Sequence, residues 1–418
     1  MNNWEGEVKT MKKELNRWAI LVASTAVLLC TGAIYAFSVF AGPLSALKGW
    51  SMSEIMMAFA INSAVGPIPM ILGGFLTDKG WAKYSITFGG LLFGLGFFLS
   101  GMVSSTAMLY ITYGLMAGIG QGLAYSGCLS NTIRLFPDKR GLASGIITAG
   151  MGGAAIIAAP IVNQLITSRD ALFAFRTLGI IYMIIVAVAS LFIQSAPSDY
   201  QPQGWQPVKL AHGSATNKNW QIMLQTPQFY LIFLMLFTGA FSGLMIASNA
   251  SVIGQGMFGI SAATAALYVS LYSLSNCVGR VLWGTVSDKI GRNYTLMIIF
   301  GAIMLAFVLM IGLSSSVGFA VAIVLLGLCF GGVMGVFPPM VMENYGPKNQ
   351  GVNYGIVFCG YSAAAFFAPK VAVGMAEKNN GDFSAAFIVA IILAVVGLVL
   401  NMAYIQLKKK QAPKMAKQ

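Results

Sequence analysis

The stretch Gly284–Asn293, GTVSDKIGRN, decides the fold, because the chain carries a version of it twice. The other copy is GFLTDKGWAK, Gly74–Lys83, and the two lie 210 residues apart. Each closes an apolar run, opens on a glycine and reaches an Asp-Lys pair four residues on. A second pair of matches keeps the same offset. FPDKRGLASGI from Phe136 and GPKNQGVNYGI from Gly346 align Pro137 with Pro347, Gly141 with Gly351 and Gly145 with Gly355. Two matches at one offset make the second half of the chain a repeat of the first.

Composition says what solvent the repeats face. Of 418 residues, 57% are hydrophobic and 9% charged, whereas a soluble domain carries about a quarter charged residues. A chain so poor in charge cannot cover its surface with polar groups, so its solvent is largely lipid. The 48 glycines agree with this, since glycine is more frequent in membrane helices than in soluble ones. A crossing needs about 20 mostly apolar residues. Twelve such runs are present, at 18–41, 54–76, 85–103, 107–134, 141–165, 173–195, 228–252, 262–286, 295–314, 317–342, 352–375 and 384–406. The predicted class is an all-α membrane protein with twelve transmembrane helices in two six-helix halves around a central cavity. Residues 1–195 form the first half, 196–227 a polar linker, and 228–418 the second half with a basic tail. The first run is long enough to span, so it reads as a helix rather than a cleaved signal peptide.

Lysine and arginine set the orientation. With both termini in the cytoplasm, nineteen basic residues fall on that side and five on the other, with Arg280 between them. This is the asymmetry of the positive-inside rule. The predicted location is the inner (plasma) membrane, multi-pass, with lipid and not nucleic acid as the partner of the tail LKKKQAPKMAKQ. The net charge of +13 is therefore a topological signal. Trp18, Trp50, Trp81 and Trp283 fall near run ends, where interfacial anchors belong.

Several chemistries are excluded. The five cysteines stand singly in apolar runs, and the one histidine, His212, lies in the linker. Neither metal spacing nor a His-based triad results, so no metal and no cofactor is expected and the chain does not read as an enzyme. GLMAGIGQG, 114–122, has the glycines of a dinucleotide loop but lies wholly in an apolar span, where glycine serves helix packing.

GTVSDKIGR resembles the loop motif of the major facilitator superfamily, Gly-x-x-x-Asp-basic-x-Gly-basic. The first copy departs from it, with Gly80 one position early. More narrowly, LFPDKRGLASG after the fourth run, NYG opening the eleventh, and an arginine eight residues before the second Asp-Lys resemble the oxalate:formate antiporter family. The layout is also similar to that of the eukaryotic monocarboxylate transporters. The resemblance implies a gating loop of Gly74, Asp78 and Lys79, repeated as Gly284, Asp288, Lys289, Gly291 and Arg292. Each acid is expected to pair with a cation or a helix N-terminus of the opposite half.

Arg280 is the residue out of place. Eight residues before Asp288, it lies about 12 Å inside the helix end at 1.5 Å per residue. A cation there costs about 2.5–3.5 kcal/mol. No Asp or Glu lies at comparable depth in any run, so the charge is expected to face a watery cavity and receive an anion. Asn276, one turn away on the same face, offers an amide to a carboxylate or to a neighbouring hydroxyl or keto oxygen. In the monocarboxylate transporters an Asp holds that position, so an internal Asp–Arg proton switch is lacking. Resemblance to the oxalate:formate antiporters further implies a cavity wall of Tyr35, Tyr125, Phe330, Met334, Phe358 and Tyr361. The oxalate carriers have a lysine where this chain has Tyr361, which leaves one cation in the cavity. Lys370, about 13 Å further along the helix, does not replace it.

The expected function is secondary transport of a small monocarboxylate of the lactate, pyruvate, formate or acetate class. Alternating access would run as proton symport or anion exchange, with the small organic anion and protons as partners and a monomer as the unit. The alternatives are an oxalate or other dicarboxylate:formate antiporter and, in a different class, a membrane anion sensor that does not transport.

Overall fold

The structure, a computed structural model, describes residues 16–197, 200–202, 217–312 and 315–415. Lys9, Lys12, Lys13, Lys209, His212 and Lys417 lie outside the described residues. Twelve long helices run through the described chain, with no strand among the described residues. The first six are α1 (Arg17–Lys48), α2 (Met52–Asp78), α3 (Ala82–Ser100), α4 (106–135), α5 (Arg140–Ser168) and α6 (Ala171–Phe192). After a one-turn helix at Trp220–Leu224 come α7 (Pro227–Phe258), α8 (Ala262–Ile290) and α9 (Arg292–Gly312). The last are α10 (Ser316–Tyr345), α11 (Gln350–Lys378) and α12 (Ser384–Met415).

Ten of the twelve are both long and apolar enough to cross a membrane. The other two, α4 and α8, have the length but are too polar. Nearly every residue of α4 from Gly118 to Leu135 is buried, and α8 turns Ser275, Asn276 and Arg280 into the protein. A helix face turned to neighbours can carry polar groups, which lowers the hydropathy of both, although α8 also exposes Leu267, Leu274, Val278 and Leu282 on its other side.

Local chemistry places the ends. Ser51 and Glu54 form a reciprocal cap at the start of α2, and the Asp170 carboxylate accepts the Phe173 N–H at 2.6 Å at the start of α6. Gly80 (φ +86°) and Gly291 (φ +89°) both take a positive φ where the chain leaves α2 and α8, so the early glycine of the first copy still supplies a left-handed residue there. Most helices outrun the apolar stretches that announced them. At the start of α11, for example, Gln350 and Asn353 are fully buried against protein. Trp283 departs from its expected interfacial place. It packs against Gly332 of α10, with its Nε1 buried and unpartnered.

α1 changes winding in mid-course, with a 3-10 stretch at Gly32–Ala36 that carries Tyr35. Beyond it, an aromatic nucleus ties α1, α2, α3, α4 and α6 together, with Phe40 stacked on Phe175 at 3.9 Å and Phe37 on Tyr113 at 4.1 Å. The two sets of six helices meet chiefly where α5 packs on α8 and α10, and α2 on α11.

Candidate functional site

The repeated loop motif forms two related contacts at the end of the bundle that carries Asp78 and Asp288. Asp78 accepts the N–H groups of Gly351 and Val352, both at 2.9 Å. Asp288 accepts those of Gly141 and Leu142, at 2.8 and 2.9 Å. Each carboxylate thus caps the first turn of a helix in the other half, α11 or α5, where unpaired amides and the helix dipole favour negative charge. Glycine makes the approach possible: a Cβ on Gly74 would overlap the backbone of Gly351, and one on Gly284 that of Gly141.

The cations at the two contacts differ. Asp78 is ion-paired with Arg134 of α4, whereas Asp288 pairs with Arg292 at 2.7 Å, and Arg292 also holds Glu343 at 2.8 Å. The hydrogen bonds of Arg292 therefore stay within its own half, while its Nη1 packs against Gly141 of the other. Lys79 and Lys289 are exposed; the Lys79 ammonium lies over the Phe75 ring.

Arg280 sits on the α5–α8 seam, only 7% exposed. Its Nε donates to Asn276 Oδ1 at 2.9 Å and its Nη1 to the Thr148 carbonyl at 2.8 Å. The guanidinium lies flat on Gly152, where a Cβ would come within 2.9 Å of Cζ and Nε and 3.0 Å of Nη2. No carboxylate pairs with Arg280 among the described residues, and Nη2 has no protein partner among them. The bond to Oδ1 also orients the Asn276 amide. Its Nδ2 is left as a buried donor with no partner, so the amide offers an N–H and nothing else.

Around this cation the structure gathers the expected rings. Tyr361 stacks on Phe358 at 4.6 Å and lies parallel to Phe330 at 6.4 Å, and Tyr125 meets Phe358 at 5.8 Å. Tyr125 and Tyr361 both lie near Arg280 and Tyr35. Tyr35, on the 3-10 stretch of α1, is the open member at 44% exposure. Met334 is buried in the hydrophobic core.

Two residues escaped the sequence reading. Tyr354 is buried in the same group beside Tyr125 and Arg280, with its hydroxyl next to that of Tyr125; it was legible only as the middle of NYG. Arg134, counted as one more basic residue near a loop, is 6% exposed and bonds the Thr77, Pro347 and Lys348 carbonyls besides Asp78. Two clefts, of about 360 and 660 Å³, lie elsewhere. One is bounded by α1, α5 and α8 and the other by α1 and α6; apolar residues dominate both, and Arg280 lines neither.

Comparison with known proteins agrees with this architecture. The Major Facilitator Superfamily model matches residues 21–369 and 237–417. An oxalate:formate antiporter of Oxalobacter formigenes is 29% identical over 408 residues, covering 96% of this chain and 94% of that one. Apicoplast pyruvate carrier 1 of Toxoplasma gondii is 25% identical, covering 73% and 67%. Among solved structures, the transporter FucP in its outward conformation superposes with a TM-score of 0.70 at 14% identity, over 92% of this chain and 98% of that one.

Proposed function

The chain belongs to the major facilitator superfamily of membrane transporters, and from that premise we propose that it carries small monocarboxylates of the lactate, pyruvate, formate or acetate class by alternating access. The observation that carries this reading is the buried Arg280, unpaired by any described carboxylate and keeping Nη2 for a ligand. Nη2 and Asn276 Nδ2 offer two donors to an anion's oxygens, and the aromatic group supplies apolar faces for a short carbon chain. One carboxylate neutralises one guanidinium. A dianion leaves a charge unpaired in a poorly hydrated site, at a cost of several kcal/mol.

The two carboxylate caps serve as latches that hold the halves together on the basic side, which is the cytoplasmic side of the plasma membrane in this reading. Releasing them opens the site to that side. Since no Asp, Glu or His accompanies Arg280 among the described residues, coupling is by anion exchange, or by proton symport in which the loaded arginine governs the cycle. A second reading, oxalate or dicarboxylate exchange, is favoured by the likeness to the Oxalobacter oxalate:formate antiporter. Tyr361 in the lysine position weighs against it.

Uptake by the purified protein in proteoliposomes, over a panel of labelled monocarboxylates and oxalate, with and without a pH gradient, tests the reading. Saturable uptake of a monocarboxylate is expected. Uptake of oxalate alone would contradict it.

A further inference from the structure

The loops that present the capped helix ends are themselves held, each by the chain that enters its own half. In the second half the loop is 346–349, between α10 and α11. Asn217 Oδ1 accepts the Lys348 N–H at 3.1 Å. The Lys218 N–H donates to the Tyr345 carbonyl at 2.9 Å, and the Lys218 carbonyl accepts from Asn349 and Asn353 side-chain amides at 3.2 and 3.0 Å. Arg134 grips the same loop from the other half, through the carbonyls of Pro347 at 2.8 Å and Lys348 at 3.2 Å.

In the first half the loop is 136–140, between α4 and α5. There Arg17, at the first turn of α1, takes both oxygens of Asp138, at 2.5 and 3.1 Å. Its guanidinium also lies 4.8 Å from the centre of the Phe136 ring, against which Trp18 packs edge-on. Asp138 and Lys348 correspond under the 210-residue repeat. The same loop position is therefore tied to the entering chain in both halves, once by an ion pair and once by hydrogen bonds.

We propose that the segment entering each half is a brace that fixes the latch-bearing loop, with Arg17 and Asn217 as positioning residues. The physical reason is entropic. Capping by Asp78 needs the N–H groups of Gly351 and Val352 held at one angle, and the loop before them begins with Gly346 at φ +82°, a residue that loses more freedom on ordering than any other. A loop already tied down gives up less when the latch closes. The 196–227 connection is thereby more than a tether: its last described residues bear on the gate. This inference rests on the latch reading above.

The test uses the full-length protein in nanodiscs, with spin labels at Tyr84→Cys and Tyr294→Cys, two exposed repeat-related sites on α3 and α9, and with Cys277 and Cys359 replaced by alanine. Asn217→Ala or Arg17→Gln is expected to raise the population with the basic side open by about fivefold, what one ordinary hydrogen bond is worth. Asn217→Asp keeps the acceptor and is expected to restore the wild-type distribution. Added to Asp78→Asn, Asn217→Ala is expected to shift nothing further, a non-additivity that a merely structural role would not produce. If Asp78→Asn and Asp288→Asn open the basic side but the folded Asn217→Ala and Arg17→Gln proteins match wild type, the brace is overturned. If the aspartate variants also leave the distances unchanged, the latch reading fails instead.

Discussion

Arg134 and Arg280 are buried almost equally, at 6% and 7% exposure, yet their surroundings differ in kind. Arg134 is complete. It pairs with Asp78 and bonds three backbone carbonyls, two of them from the opposite half. Arg280 is incomplete, holding one amide oxygen and one carbonyl, with no carboxylate and with Nη2 unused by protein among the described residues. A buried guanidinium with a full set of partners is structural and joins the halves. One lacking a counter-ion in low dielectric is a place where an anion gains more than it does in water.

The comparison breaks first at Arg134. Arg134→Ala leaves Asp78 buried without its cation, and removing one partner of a buried pair costs about 3–5 kcal/mol. Thermal unfolding in detergent is expected to fall by several degrees, and the double variant with Asp78→Asn to recover more than half of the loss. Equal stability of wild type and Arg134→Ala would remove the contrast.

Gly152→Ala sharpens the other side. The new methyl would meet Cζ and Nε at 2.9 Å, so the guanidinium must leave its seat while its charge is kept. Substrate affinity is expected to fall about tenfold, or ~1.4 kcal/mol, as read by titration calorimetry. Unchanged affinity would mean that the observed position of Arg280 is not the binding one.

Tyr361→Lys has the smallest expected effect. It adds a second cation beside Arg280, and the ammonium must be desolvated between Phe358 and Phe330, with partial compensation from the ring faces. The ratio of oxalate to lactate inhibition constants is expected to move about fivefold toward oxalate, roughly one net ionic partner. An unchanged ratio in the folded variant would show that position 361 does not meet the substrate.

Much of this was legible in the chain. Apolar length announced the helices, and the 210-residue repeat gave the pairing of Gly74 with Gly351 and of Gly284 with Gly141 a reason to exist. Arg280 and Asn276 stood out because polar groups are costly at that depth. What escaped is what depends on the third dimension. Arg134 looked like any basic residue near a loop, since nothing local shows that its helix end is buried between halves. Tyr354 is one tyrosine among fifteen, and its place beside Tyr125 and Arg280 exists only by virtue of packing. The depth of Arg280 along its helix was readable; its seat against Gly152 and Thr148 was not, because those residues belong to another helix more than a hundred positions away.

The most direct measurement is uptake of the preferred monocarboxylate by Arg280→Ala and Arg280→Lys proteins in vesicles, with insertion and folding checked in parallel. Losing the charge removes two or more charge-assisted hydrogen bonds, so uptake by Arg280→Ala is expected to fall at least about a hundredfold. Arg280→Lys keeps the charge but not the planar fork and is expected to be severely impaired as well. Normal uptake by the folded Arg280→Ala protein would contradict the assignment of Arg280 as the residue that holds the anion.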